Sequence, residues 1–320
     1  MAESYLADMF SLKGKTAIVT GGTGGLGSAM VVALVQAGLS LVVSIELPDD
    51  PLSLEFEGKI HSFGTKIMPI SCDLQNSASL RETYQMIWEA GVVPDILLNC
   101  AGLMRRDPCL DAMDDELSLL FNVNVKPYYV SMQEFGRKLI LLGNPGQIIN
   151  IASITAFQAG FSTSIYSSTK RAVVRMTEAF SSNEWAKKGI QVDCIAPGFM
   201  QTTMTAKYEG DPIMTEYLMT RVYMQRWGKP EDLASAVLFL AAPSNTFVSC
   251  LVVDSGFAES RPEYGLQTAM GISYREGQIE KVLCGREAFG QLHSETRKPS
   301  LSSSPCHGKY GSAFLLVSEQ

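Results

Sequence analysis

Residues 16 to 27 read TAIVTGGTGGLG, a short run rich in Val and Ile followed at once by a cluster of glycines. So short an apolar run suits a strand buried on both faces of a parallel sheet. The glycines after it form a turn free of Cβ atoms, and GLGSAMVVALVQAG (25 to 38) then carries a helical period. Such a turn lets the backbone approach a pyrophosphate, whose charge is stabilised by the dipole at the helix N-terminus. Strand, glycine turn and helix in this order are expected to hold a dinucleotide through Gly21, Gly25, Leu26 and Gly27. Taken alone, the turn also fits a plain strand-to-helix connection.

Outward from this stretch the same alternation continues. LSLVVSI (39 to 45), KIMPI (66 to 70), DILLN (95 to 99), QIINIA (147 to 152) and IQVDCIA (190 to 196) read as further buried parallel strands. SASLRETYQMIWEAG (77 to 91) and YSSTKRAVVRMTEAFSSNEWAKK (166 to 188) read as helices between them. The pattern predicts a doubly wound α/β fold, a mostly parallel sheet of the Rossmann type with helices on both faces. No break in composition divides the first part, so residues 1–258 are expected to form a single dinucleotide-binding catalytic domain. Residues 259–320, with scattered Gly, Ser, Arg and Pro, are expected to be a poorly ordered tail, with a terminal helix around 278–289 as a minor alternative.

The end of the second strand decides the cofactor, because an acid there bonds the ribose hydroxyls and a base there pairs with a 2′-phosphate. Glu46 is the nearby acid, and neither Arg nor Lys accompanies it or Gly24, so NAD is expected over NADP. The alternative for Glu46 is a solvated loop carboxylate. Asp73 either accepts a bond from the adenine amino group or caps the helix after Asn76.

Tyr166 and Lys170 are four residues apart and share one face of a helix. An ammonium beside a phenol favours the phenolate, so the pair is expected to act as an acid/base unit with the Tyr166 pKa lowered. Ser153 ends the strand QIINIA, thirteen residues before Tyr166, at the edge where open α/β sheets bind ligands. It is placed to hold a carbonyl oxygen, or to cap a turn. The spacing of Tyr166 and Lys170 alone is not specific; glycine turn, Ser153, Tyr166 and Lys170 in this order are.

With these residues in place, residues 10 to 257 resemble the short-chain dehydrogenase/reductase family. Thr20 to Gly27 match its glycine motif, Asn99-Cys100-Ala101-Gly102 its Asn-Asn-Ala-Gly segment, and Pro197-Gly198 its turn after the sixth strand. The resemblance implies that Asn124, Ser153, Tyr166 and Lys170 are catalytic, with Asn124 holding a water in a proton relay. It also implies that Asn99, Asn124, Tyr166, Lys170 and Thr202 contact the cofactor. Within the family the likeness is greatest to sugar-acid dehydrogenases acting on 2-deoxygluconate, 2-dehydro-3-deoxygluconate or gluconate, through NCAGLMRRD (99 to 107), IINIASITAFQ (148 to 158), NEWAKKGIQVDCIAPGFM (183 to 200) and RWG (226 to 228). Arg105 and Arg106 then either meet a substrate carboxylate or are surface arginines on a loop. Gln158 is a further candidate for a substrate hydroxyl. Three departures stand out: Cys100 replaces the second asparagine, Phe247 to Gly256 is about two residues short with Ser255 in place of a glycine, and the chain continues to Gln320.

Bulk properties narrow the partners. A net charge of −7 with no basic stripe argues against nucleic acid. MAESYLADMF has no positive leader, and no run of about 18 apolar residues occurs, so a cytoplasmic protein that does not enter membranes is expected. The 7 cysteines are widely spaced, and the 3 histidines lie away from strand ends, so no metal site is expected and reduced thiols are the simpler account. The expected function is an alcohol/ketone oxidoreductase with a small-molecule substrate, of sugar-acid type. An alternative acts on a larger uncharged terpenoid or polyketide intermediate of secondary metabolism, because Met200, Met204, Tyr208, Met214, Tyr217, Leu218, Met219, Tyr223 and Met224 make the segment after the sixth strand apolar. A non-catalytic dinucleotide sensor is the alternative of another class. By resemblance the chain is expected to form a homodimer or homotetramer through helices around 121–142 and 166–188.

Overall fold

The run TAIVT is strand β1 (Thr16–Thr20) in the computed structural model, which describes residue 5 and residues 8–160, 162–181, 185–245, 251–253, 272–275 and 278–281. β1 pairs on one side with β2 (Leu41–Glu46) and on the other with β4 (Ile96–Asn99), so the first strand of the chain is central in the sheet. β3 (Lys66–Ser71) lies outside β2, while β5 (Gly146–Ile151), β6 (Ile190–Pro197) and β7 (Leu251–Val253) extend the other side. All neighbours are parallel, in the order β3-β2-β1-β4-β5-β6-β7. The chain reverses its direction of growth between β1 and β4, and open sheets bind ligands outside the carboxyl ends of strands at that point.

All six expected strands are present, with one change of character. The run KIMPI is an edge strand rather than a buried one, and only Ile70 of its residues is fully covered. Its Pro69 is tolerated there because an edge strand leaves one row of amides out of the ladder. The closing strand is formed despite its shortened segment: Leu251–Val253 pairs in parallel with Ile195 to Pro197.

Helices cover both faces. α1 (Gly25–Gln36) and α9 (Ala234–Ala241) pack together on one face over Val19, Leu98, Ile149 and Ile195. α1 is apolar around much of its circumference because it is pressed between the sheet and α9. On the other face α3 (Ser77–Glu89) and α5 (Lys126–Leu142) pack over Ile18, Val43, Leu97 and Ile148. α2 (Ser53–His61) follows β2, and α4 (Asp114–Asn124) leads into α5. α6 (Ser164–Phe180) is shorter than the stretch 166 to 188 suggested; a separate 3-10 turn, Ala186–Lys188, closes at Gly189 with φ 76°. Two short helices, α7 (Ala206–Glu209) and α8 (Pro212–Met219), follow β6.

In the tail, Ile272–Arg275 (β8) and Gln278–Lys281 (β9) form an antiparallel pair, so residues 278–281 are strand and not the start of a helix. Ser255 and most of 259–320 lie outside the described residues. Among the described residues no helix is long and apolar enough to cross a membrane.

Candidate active site

The glycine turn is held by contacts that only glycine permits. Gly21 has φ 69°, and a Cβ there would stand 2.7 Å from the backbone of Ala101. At Gly27 a Cβ would lie 2.0 Å from the Gly21 carbonyl oxygen, so the first turn of α1 rests directly on the loop. The Thr20 hydroxyl accepts from the amides of Cys100 and Ala101, at 3.3 and 3.4 Å, and ties the ends of β1 and β4 together. Gly25 faces Thr202, whose methyl carbon is 3.5 Å from the position of an added Cβ. Leu26 and Thr202 both line the cavity described below.

Glu46 is 6% exposed, which removes the solvated-loop alternative. One carboxylate oxygen, Oε2, accepts the Ser53 hydroxyl at the start of α2, whereas Oε1 is buried with no hydrogen-bond partner among the described residues. A buried acceptor without a donor beside a glycine cradle fits a ribose hydroxyl and a pyrophosphate. Asp73 is exposed and accepts from the Gln75 amide at 3.0 Å; the cap of α3 is Asn76, whose Oδ1 accepts from the amides of Ala78 and Ser79. The capping alternative for Asp73 is thereby corrected. Asn99 is 1% exposed, and its amide donates to Asn150 at 2.9 Å, inside the sheet.

Four side chains meet at the carboxyl ends of β4 and β5. The Ser153 hydroxyl oxygen accepts from the Thr155 amide (3.2 Å) and hydroxyl (3.0 Å) and lines the same cavity as Tyr166. Ser153 thus both caps a 3-10 turn and faces the phenol. Burial pushes the Tyr166 pKa up to about 12, against the lowering effects of the Ser153 hydrogen bond and the Arg106 cation, and Cys100 adds to the rise. Lys170 donates to the Ile151 carbonyl at 2.8 Å and stands 5.9 Å from the Tyr166 ring centre. Burial draws its pKa down to about 8. The expected lowering of Tyr166 by Lys170 is therefore not seen in this geometry. The ammonium is held on a backbone carbonyl, desolvation dominates, and the cation acting on the phenol is Arg106.

Asn124 is fully buried at the end of α4. Its side chain accepts from the Leu103 amide and donates to the Leu103 carbonyl, both at 2.8 Å, and donates to Thr169 at 3.1 Å. It fastens the loop after β4 to α6. Tyr128, not singled out from sequence, donates to the carbonyls of Ala101 and Ile151 and lies with its ring 5.3 Å from the Lys170 ammonium. No local pattern marks it, since its neighbours in the site come from β4, β5 and α6.

A cavity of about 120 Å³ opens beside these residues. Ser153, Tyr166, Lys170 and Cys100 form its polar side, and Phe199, Met200, Met204, Tyr208 and Trp227 form an apolar wall. The two arginines separate here. Arg106 lines the cavity with its guanidinium 4.0 Å over the Tyr208 ring, and its Nε is buried without a partner among the described residues. Arg105 is exposed and contacts the Met104 carbonyl at 3.4 Å. Gln158 does not line the cavity; its side-chain oxygen accepts from Arg221. Of the apolar segment after β6, Leu218 is buried against Ile154 and Trp227, and Tyr223 and Met224 are exposed.

A phenol and a serine hydroxyl lining one cavity, beside a glycine turn that fits a dinucleotide, can pass a proton to or from an oxygen held by the serine. The short chain dehydrogenase family model matches residues 15–212. The chain is 34% identical over 258 residues to the 2-dehydro-3-deoxy-D-gluconate 5-dehydrogenase of Bacillus subtilis (strain 168), covering 79% of this chain and 98% of the relative. It is 34% identical over 251 residues to the protein of that name from Escherichia coli (strain K12), covering 78% and 97%. The crystal structure of a gluconate 5-dehydrogenase from Burkholderia cenocepacia J2315, in complex with NADP and tartrate, is similar with a TM-score of 0.76 and 28% identity, over 80% of this chain and 100% of the other.

The chain belongs to the short-chain dehydrogenase family. It is an NAD(P)-dependent oxidoreductase acting on a CH–OH group, and it interconverts an alcohol and a ketone.

Proposed function

We propose that the protein acts on a small sugar-acid-like alcohol or its ketone, with NAD as the preferred coenzyme, and that Arg106 binds the acid group. The observation that carries this reading is the placement of Arg106. Its guanidinium enters the cavity beside Tyr166 and stacks on Tyr208, with one N–H left without a partner among the described residues. A planar donor fork so placed matches a carboxylate. The relatives named for sugar acids support the same substrate class.

A nicotinamide held at the glycine turn and Glu46 would supply or accept the hydride. Ser153 orients the substrate oxygen, and Tyr166 gives or takes its proton. Lys170 and Asn124 hold the framework around the phenol through Ile151 and Leu103. Glu46 favours NAD because its unpaired Oε1 requires a donor, which a ribose hydroxyl provides. The second reading, a larger uncharged substrate, rests on the wall of Phe199, Met200, Met204, Tyr208 and Trp227.

Nicotinamide absorbance with the purified protein tests both. Turnover of gluconate or 2-deoxygluconate with NAD, or of their keto forms with NADH, lost in Arg106→Met through a raised KM, is the expected result. Turnover of bulky neutral alcohols alone would move the assignment to the second reading. In the same reading residues 1–258 act as one catalytic domain in the cytoplasm, and copies associate through α4, α5 and α6, where Leu117, Phe121 and Tyr129 are exposed.

A further inference from the structure

We infer that Asp50, latched to Thr23, is a second coenzyme-specificity residue that closes the space a 2′-phosphate needs. The inference rests on the reading of the glycine turn and Glu46 as the coenzyme cradle.

Thr23 lies inside the glycine turn, between Gly22 and Gly24, and its hydroxyl donates to Asp50 Oδ2 at 2.7 Å. The other oxygen of Asp50 accepts from the Leu52 amide at 2.9 Å, immediately before α2. The next residue, Ser53, donates its hydroxyl to Glu46. Thr23, Asp50, the start of α2 and Glu46 therefore form a connected polar chain that joins the glycine turn to the end of β2. Asp49 holds φ 58°, in the left-handed region that Asp tolerates better than most residues, and so turns the chain that presents Asp50.

A ribose 2′-hydroxyl can donate to the unpartnered Oε1 of Glu46. A 2′-phosphate offers acceptors and brings about 1.5 to 2 negative charges, which these carboxylates repel. The Thr23 hydroxyl, which would otherwise be free to donate to a phosphate, is already bonded to Asp50. Among the described residues no ion pair involves Glu46 or Asp50, and Lys59 on α2 donates to Ser28 on α1 at 3.3 Å. Glu46 selects for the hydroxyl, and Asp50 selects against the phosphate by charge and by occupying the loop donor.

The test is coenzyme binding without substrate, followed by nicotinamide fluorescence, on full-length wild type, Asp50→Asn, Thr23→Val and Glu46→Gln. Asp50→Asn keeps an acceptor for both Thr23 and Leu52 and removes only the charge. It is expected to tighten NADPH by about tenfold while NADH changes by less than about threefold. Thr23→Val, which frees the latch without altering charge, is expected to shift the same ratio by a smaller factor, and it serves if Asp50→Asn fails to fold. An unchanged NADPH/NADH ratio in the folded Asp50 and Thr23 variants, with a shifted ratio in Glu46→Gln, would overturn the role of Asp50 and leave the NAD reading intact. Wild type that binds NADPH as tightly as NADH would overturn both.

Discussion

The phenol of Tyr166, 8% exposed and held near pKa 12, keeps its proton throughout the neutral range. With Tyr166 as the proposed proton donor, carbonyl reduction should then vary little with pH between 6 and 8. Alcohol oxidation, which on the same proposal needs the phenol ionised, should gain up to about tenfold per pH unit on the acid side of the pKa. A kcat/KM profile in each direction checks the contrast. Arg106→Met removes a cation that lowers the phenol pKa, so the oxidation profile should move to higher pH as well as lose affinity for an acid. Tyr166→Phe should cut kcat by about 10² to 10⁴ with NADH binding retained, a result that a non-catalytic sensor would not give. Tyr166, Lys170 and Ser153 were legible as a set because their order and spacing survive in one dimension. The choice between Arg105 and Arg106 was not, because adjacent residues on a loop point apart only once Tyr208 is folded against one of them.

At the scale of elements, the boundaries follow local chemistry where a cap or a glycine acts and tertiary packing elsewhere. Asn76 caps α3 through two amides, and Asn76→Ala should lower stability by about 1 kcal/mol with kcat unchanged, by chemical denaturation and assay. Gly27→Ala should abolish coenzyme binding and reduce the melting temperature, because the new Cβ would stand 2.0 Å from the Gly21 oxygen with backbone on both sides. The glycine turn and its helix were readable from TGGTGGLG, since the absence of Cβ atoms is a local property. The partial exposure of KIMPI was not, because whether a strand is central or at an edge depends on what pairs beside it.

Across the whole molecule, the strand order brings together residues more than a hundred positions apart. Leu26 after β1, Cys100 after β4, Ser153 after β5 and Thr202 after β6 all reach one cavity because the parallel strands end at the same edge. The same sheet buries Asp193 on β6, 1% exposed, with Oδ2 unpaired among the described residues; burial pushes its pKa up to about 7. The folded chain thus binds more protons here than the unfolded one between pH 4 and 7, so this residue makes stability fall as pH rises through that window and adds no slope above it. Asp193→Asn should flatten the slope and raise stability at pH 8 by roughly 1 to 3 kcal/mol, read from melting curves against pH. By itself the sequence determined the alternating α/β class, the glycine turn between β1 and α1, and the placing of Ser153, Tyr166 and Lys170 at one sheet edge, because periodicity, glycine turns and fixed spacing are properties of neighbouring residues. Only the tertiary structure decided that Arg106 rather than Arg105 enters the cavity, that Tyr128 and Ile151 hold Lys170, and that Asp50 bonds Thr23, because each depends on side chains from separate strands and loops meeting once desolvation and pairing have set their positions.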